Sequence, residues 1–205
     1  MGLRSLEQKA CDRFLLLKLI EKASPLDRYQ LQKLPFRAEY DLNTEKRRGF
    51  SYEFFQYDDG PISKEIYEDL DALKDLSLVS EQGITIQIEG RGKRLLSEFD
   101  HIFKENREIT DKVDAVVRRF SKMSGLDLVD DTHKMRVVWN GKCVNLERIP
   151  RNSTIIPMPA EQSLEMESSI LETLIALLSP QLIEDIRETR KEGSTSKPYR
   201  PLAVA

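Results

Sequence analysis

The side chains able to do chemistry are few and scattered. Histidine occurs only at His101 and His133, and cysteine only at Cys11 and Cys143. No second histidine stands four residues from either one, so the spacing of a helical zinc site is missing. His133 follows Asp130 and Asp131, which suits a capping or structural hydrogen bond better than catalysis. Glu65, Glu68 and Asp71 could be offered as an acid and base. Their spacing is, however, what an exposed helix face produces. The Gly-Arg-Gly at 90–92 lacks the downstream Gly and Lys of a phosphate-binding loop, and no nucleophile elbow occurs. The sequence therefore predicts no catalytic residue, no metal and no cofactor.

Binding chemistry is better represented. Three basic clusters stand out: Lys46-Arg47-Arg48, then Arg91 with Lys93 and Arg94, then Arg118-Arg119 with Lys122. Such cations contact phosphates of operator DNA when a fold presents them together. The whole chain has a net charge of -3, so any DNA contact must come from these local groups.

The elements that must position these groups follow from periodicity. Ala10, Phe14, Leu17 and Ile20 mark a core-facing helix over 5–23. Ser24-Pro25 reads as the cap and first residue of the next helix, with Asp27 in its first turn. Pro35 should divide the stretch that follows into two short helices. Asn43 to Gly49 is a polar loop. Phe50, Tyr52 and Phe54 alternate with Ser51, Glu53 and Phe55 as a strand, which Asp59-Gly60-Pro61 stops. Ser63 is placed to cap the next helix, with Ile62 and Tyr67 as its hydrophobic staple. Ile66, Leu70, Leu73 and Leu76 to Val79 form its apolar stripe, and Lys64, Asp69, Asp71 and Asp75 should face outward. Ile84, Ile86 and Ile88 alternate as another strand. Gly90 to Arg94 reads as a turn that opens a helix. This order is that of a winged-helix module, with Arg91, Lys93 and Arg94 at the wing.

The string QYDDGPISKEIYEDLDALKDLSLV resembles the Panacea, or SocA-like, antitoxin domain. Its members show an aromatic strand, a Tyr-Gly-Pro-x-Ser turn and a helix ending in a Leu-rich pattern, with a Thr-His element later. Here those positions are Tyr57, Gly60, Pro61 and Ser63, then Thr132 and His133. Ser77 stands where the family has glycine. LLLKLIEKASPLDRYQLQKL resembles the family's opening helices, and the likeness spans residues 10 to 135. It implies an antitoxin that neutralises a cognate toxin by direct binding.

Beyond residue 136 the pattern changes. Arg136 to Trp139, Asn140-Gly141 and Cys143 to Leu146 read as a small hairpin, and 150 to 160 as an extended linker. Ser168 to Leu178 is a strongly apolar helix. Ser179-Pro180 caps another, and the end, GSTSKPYRPLAVA, is turn-rich. Residues 160–193 carry eight acidic and three basic side chains, a net of -5 that suits a basic partner. The expected toxin-binding set is Leu171, Leu174, Ile175, Leu178, Leu182, Ile183 and Ile186. Three coverings are open to this face: a groove in the toxin, the first domain itself, or a second copy in a homodimer.

The expected architecture is α+β and mainly helical. A winged-helix-like domain spans 1–135, a hairpin and linker 136–160, and a C-terminal helical arm 161–205. The chain of 205 residues is 40% hydrophobic and 33% charged, enough apolar content for one core. Isolated thiols suit a reducing cytoplasm. Lys18 interrupts the apolar run Phe14 to Ile20, so neither a signal peptide nor a membrane span is expected. The expected location is cytoplasmic, with a toxin as the first expected partner and operator DNA as the second. The alternative function is a winged-helix transcriptional regulator dimerising through its arm.

Overall fold

The structure, a computed structural model, describes residues 3–184. It is mainly helical, with small antiparallel sheets.

Helix α1 (Leu6–Ala23) opens with a capping box. Ser5 Oγ accepts the Gln8 N–H, and the Gln8 amide oxygen accepts that of Ser5. Phe14, Leu15, Leu16, Leu17, Leu19 and Ile20 are all fully buried, so α1 is the central rod of the core rather than a surface helix.

The Ser24–Pro25 peptide is cis, and Leu26 pairs with Ile86 in an isolated bridge. The cap of α2 (Arg28–Thr44) is Asp27, not Ser24: its Oδ1 accepts the Gln30 N–H at 2.8 Å. Helix α2 also runs unbroken through Pro35, contrary to the expected division. The lost hydrogen bond and ring clash cost about 3 kcal/mol. Leu31, Leu34 and Phe36, fully buried around Pro35, each return about 1.5–3 kcal/mol by staying helical and leaving water. Packing wins.

Strand β1 (Phe54–Tyr57) turns through Asp58-Asp59 into β2 (Gly60–Ile62), pairing Tyr57 with Gly60 and Phe55 with Ile62. The strand expected from Phe50 thus starts later. Phe50 and Tyr52 lead into it, both buried, with their rings stacked at 5.2 Å. Helix α3 (Lys64–Asp75) buries Ile66, Leu70 and Leu73, as the spacing predicts. Asp69, expected outside, is fully buried beside them.

The hairpin of β3 (Val79–Gln82) and β4 (Thr85–Ile88) turns Ile86 and Ile88 inward and leaves Ile84 at its exposed tip. Helix α4 begins at Gly90 itself, so residues 90–94 are its first turns and not a loop. Helices α5 (Asp100–Glu105), α6 (Arg107–Phe120) and α7 (Gly125–His133) follow.

Strands β5 (Arg136–Trp139) and β6 (Lys142–Asn145) form the expected hairpin. Asn140 and Gly141 both take positive φ, 49° and 72°, as a type I′ turn requires. The expected linker holds a strand instead. There β7 (Thr154–Ile156) joins β1 on the edge opposite β2, and Trp139 Nε1 donates to the Thr154 carbonyl at 3.1 Å. Residues 157–167 cross back over α1 and α6. Gln8 Nε2 donates to Pro159 O at 3.1 Å, and Asn106 exchanges hydrogen bonds with the Glu165 backbone at 2.8 Å each. Helix α8 (Ser168–Leu178) then lies along α1. Leu174 and Leu178 share one continuous core with Phe14 and Ile20. Over its described residues, the expected arm is part of that core.

Candidate functional site

Three neighbouring side chains of α2 draw together segments far apart in sequence. Gln32 donates to Ser63 O and accepts the Ser63 N–H, both at 2.9 Å. Lys33 Nζ donates to Pro61 O at 2.9 Å. Burial pushes the Lys33 amine down to about 8, against the pull of Asp59. One turn on, Arg37 donates to Thr132 Oγ1 at 3.1 and 3.0 Å and to Asp131 at 2.6 Å, with its guanidinium 4.1 Å from the centre of the Phe120 ring. Thr132, fully buried, donates its own proton to Leu128 O at 2.6 Å.

The two stretches that carry the Panacea resemblance meet here. Gly60 has φ +81°, and a Cβ on it would stand 3.2 Å from the His133 ring. Ser63 holds the N-cap position of α3 without capping it, because its hydroxyl donates to the Glu65 carboxylate at 2.5 Å. Tyr57 is exposed at the end of β1, with the Arg151 guanidinium 4.1 Å from its ring centre. The arrangement fixes the β1–β2 turn and presents Tyr57, Asp58 and Asp59 to solvent. Ser77 has φ +56°, a conformation in which glycine is unstrained.

A second group of buried side chains, an ionic cluster, joins α1 to α3 and to residues 51–52. Asp69 accepts from Arg4 at 2.6 and 3.2 Å, from Arg13 Nε at 2.8 Å and from the Tyr52 hydroxyl at 3.0 Å. Asp12 accepts from Arg4 at 2.9 Å and from the Ser51 N–H at 2.7 Å. Burial raises the Asp12 carboxyl to about 7 in spite of Arg4, and it raises the Tyr52 phenol as well. Arg13 extends the cluster to α8, donating to Leu178 O at 2.6 Å. The phase of α3 marks Asp69 as inward: it adjoins Leu70 and lies three residues from Ile66. Nothing local marks Arg4 as its partner.

The expected toxin-binding residues divide. Leu174 and Leu178 are fully buried against α1, so neither is free to enter a partner's groove. Leu171, Ile175, Leu182 and Ile183 are half-buried, and Ile186 lies outside the described residues.

The basic clusters divide as well. Arg47 pairs with Glu108 at 2.6 Å, and Arg48 pairs with Glu39 at 2.6 Å and donates to Pro157 O at 2.7 Å. Both are committed within the chain, while Lys46 is exposed in the loop after α2. Arg91, Lys93 and Arg94 sit on α4, not at the tip of the β3–β4 hairpin, which is Gly83-Ile84. All three are exposed, with no ion pair among the described residues.

Among the described residues, no three side chains gather as a metal site, and no helix is long and apolar enough to cross a membrane. Comparison of the chain with protein-family models, with curated proteins and with solved structures finds no match.

Proposed function

We propose that this chain is an antitoxin that neutralises a cognate toxin by direct protein binding. The observation that carries the reading is the junction on α2. Segments 57–63 and 132–133, which hold the resemblance to the Panacea domain, are joined there through Gln32, Lys33 and Arg37. Ser77, left-handed where that family has glycine, supports it independently. The mechanism is occlusion: the exposed β1–β2 turn and the half-buried residues of α8 cover the toxin's working surface, and no bond is made or broken. Co-expression with the products of the neighbouring genes, followed by pull-down, tests this. A stoichiometric partner that is toxic alone and harmless with this chain is expected. A toxic neighbour that grows no less toxic in its presence overturns it.

A second reading, a winged-helix regulator of transcription, draws on the order α3, β3–β4 hairpin, α4 and on the exposed Arg91, Lys93 and Arg94. Its weakness is α3, whose solvent side carries Glu68, Asp71 and Asp75 against Lys64 and Lys74. Phosphates repel such a face. It predicts salt-sensitive binding to upstream DNA that Arg91→Glu/Arg94→Glu abolishes; DNA binding that ignores this change refutes it.

A further inference from the structure

An open groove of roughly 970 Å³ lies between the start of α2, the β1–β2 turn, α3, the β3–β4 hairpin and the start of α7. Its apolar wall is Tyr29, Tyr67, Ile84 and Leu126. Ile84 is 77% exposed, Leu126 66% and Tyr29 39%. Only seven large hydrophobic side chains are exposed among the described residues, and three of them share this one groove. Scattered exposure needs no explanation, but exposure concentrated on one concave surface marks a contact site. Because Ile84 and Leu126 stand up on the rim and do not enclose a cavity, the shape fits a chain segment better than a small molecule.

The charge around this wall has one sign. Asp27, Asp59 and Glu81 line it against a single cation, Arg28. That cation is spent: its Nε and Nη2 donate to Glu81 at 2.6 and 3.0 Å, and Lys74 holds Glu81 from the other side at 3.0 Å. Asp27 and Asp59 have no ion-pair partner among the described residues. Nor has Asp127, which follows Leu126 on the rim and accepts only from Ser124. Gly125 allows the start of α7 to lie against the Asp27 carboxylate, since a Cβ there would collide with it. Two copies of this chain meeting through the groove would set Asp27 and Asp59 against themselves, as the two-fold symmetry of a homodimer requires. A nucleic acid would meet the same repulsion.

We propose that this groove is the docking site for a cationic segment of a partner protein, one that carries apolar side chains between lysines or arginines. Ile84, Leu126 and Tyr29 take the apolar side chains. Asp59, Asp27 and Asp127 receive the cations, with affinity that falls as salt rises. This deepens the protein-binding reading and rests on it, without requiring that the partner be a toxin.

The test uses the full chain and labelled peptides alternating leucine with arginine, with a glutamate-for-arginine and a serine-for-leucine version as controls. Fluorescence anisotropy is expected to show binding of the arginine–leucine peptide alone. Ile84→Asp and Leu126→Asp, at positions too exposed to threaten folding, should each weaken it roughly tenfold or more, and Asp59→Lys should do the same. Val138→Asp, at a comparably exposed apolar position on β5, should leave it unchanged. Equal binding of the glutamate peptide, or unaltered binding by Ile84→Asp and Leu126→Asp, overturns the proposal. So does a dimer in sedimentation that Ile84→Asp dissolves, since it assigns the groove to self-association. Failure of the chain to neutralise any neighbouring gene product would instead overturn the antitoxin reading and leave the peptide result standing.

Discussion

Replacing Asp69 with asparagine asks whether the buried ionic cluster holds α1, α3 and the 50–53 segment together. The variant keeps the side chain's shape and one acceptor oxygen but removes the negative charge facing two guanidiniums. Arg13 is 12% exposed and recovers part of its hydration; Arg4 is 1% exposed and recovers none, keeping buried Asp12 at 2.9 Å and exposed Glu68 at 3.9 Å. Removing one partner of a buried ion pair costs about 3–5 kcal/mol. Because Arg4 retains a carboxylate, a loss near the lower end, about 3 kcal/mol, is expected. Urea unfolding followed by circular dichroism measures it. For a typical slope in urea, the midpoint should fall by about 1–2 M. Glu68→Gln is the control: its carboxylate is 67% exposed and 3.9 Å from Arg4, so a change within about 0.5 kcal/mol is expected. An Asp69→Asn variant within about 1 kcal/mol of the parent would refute the claim that this cluster matters to stability.

Leu174→Ala and Leu178→Ala should each cost about 2–5 kcal/mol, as core truncations do, and thermal melts of the two variants check whether α8 is structural. Stability should fall as pH rises from about 4 to about 7. Folding raises the Asp12 carboxyl from 3.8 to about 7, so its contribution is full below the unfolded value and lost through the folded one. Glu39, also raised by burial, acts in the same direction. Urea midpoints at pH 5 and pH 8 measure this, and Asp12→Asn should flatten the slope. Gly60→Ala should cost about 1–2 kcal/mol, since alanine is strained at φ +81° and crowds His133. Ser77→Gly, at φ +56°, should gain up to about 1 kcal/mol; calorimetry on both tests the two signs together.

What the sequence revealed was mostly local. The phase of Ile66, Leu70 and Leu73 placed α3, and Asn140-Gly141 placed the β5–β6 hairpin, because in each case neighbouring residues carry the physics. Pro35 misled because propensity counts one lost hydrogen bond and cannot see three buried side chains around it. Asp69 misled because a carboxylate reads as solvated until Arg4, 65 positions away, is found beside it. The apolar face of α8 was legible, but its covering by α1 was not, since α1 shows no unusual surface in sequence. Strand β7 stayed hidden because Thr154 to Ile156 is too short to show alternation. Of the candidate site, the motif residues were visible one by one. Their meeting on α2 depends on Gln32, Lys33 and Arg37, which no motif names.

The pairing of Phe54 with Ile156 has a consequence for synthesis. A ribosome delivers β1 and β2 long before β7, and α1 long before α8. Until residue 178 has emerged, one edge of β1 lies open and one side of the central helix α1 is bare. Local folding cannot close either gap, because the missing strand and helix are still unmade. Through that interval the nascent chain exposes a strand edge and a helix side that only later residues can cover.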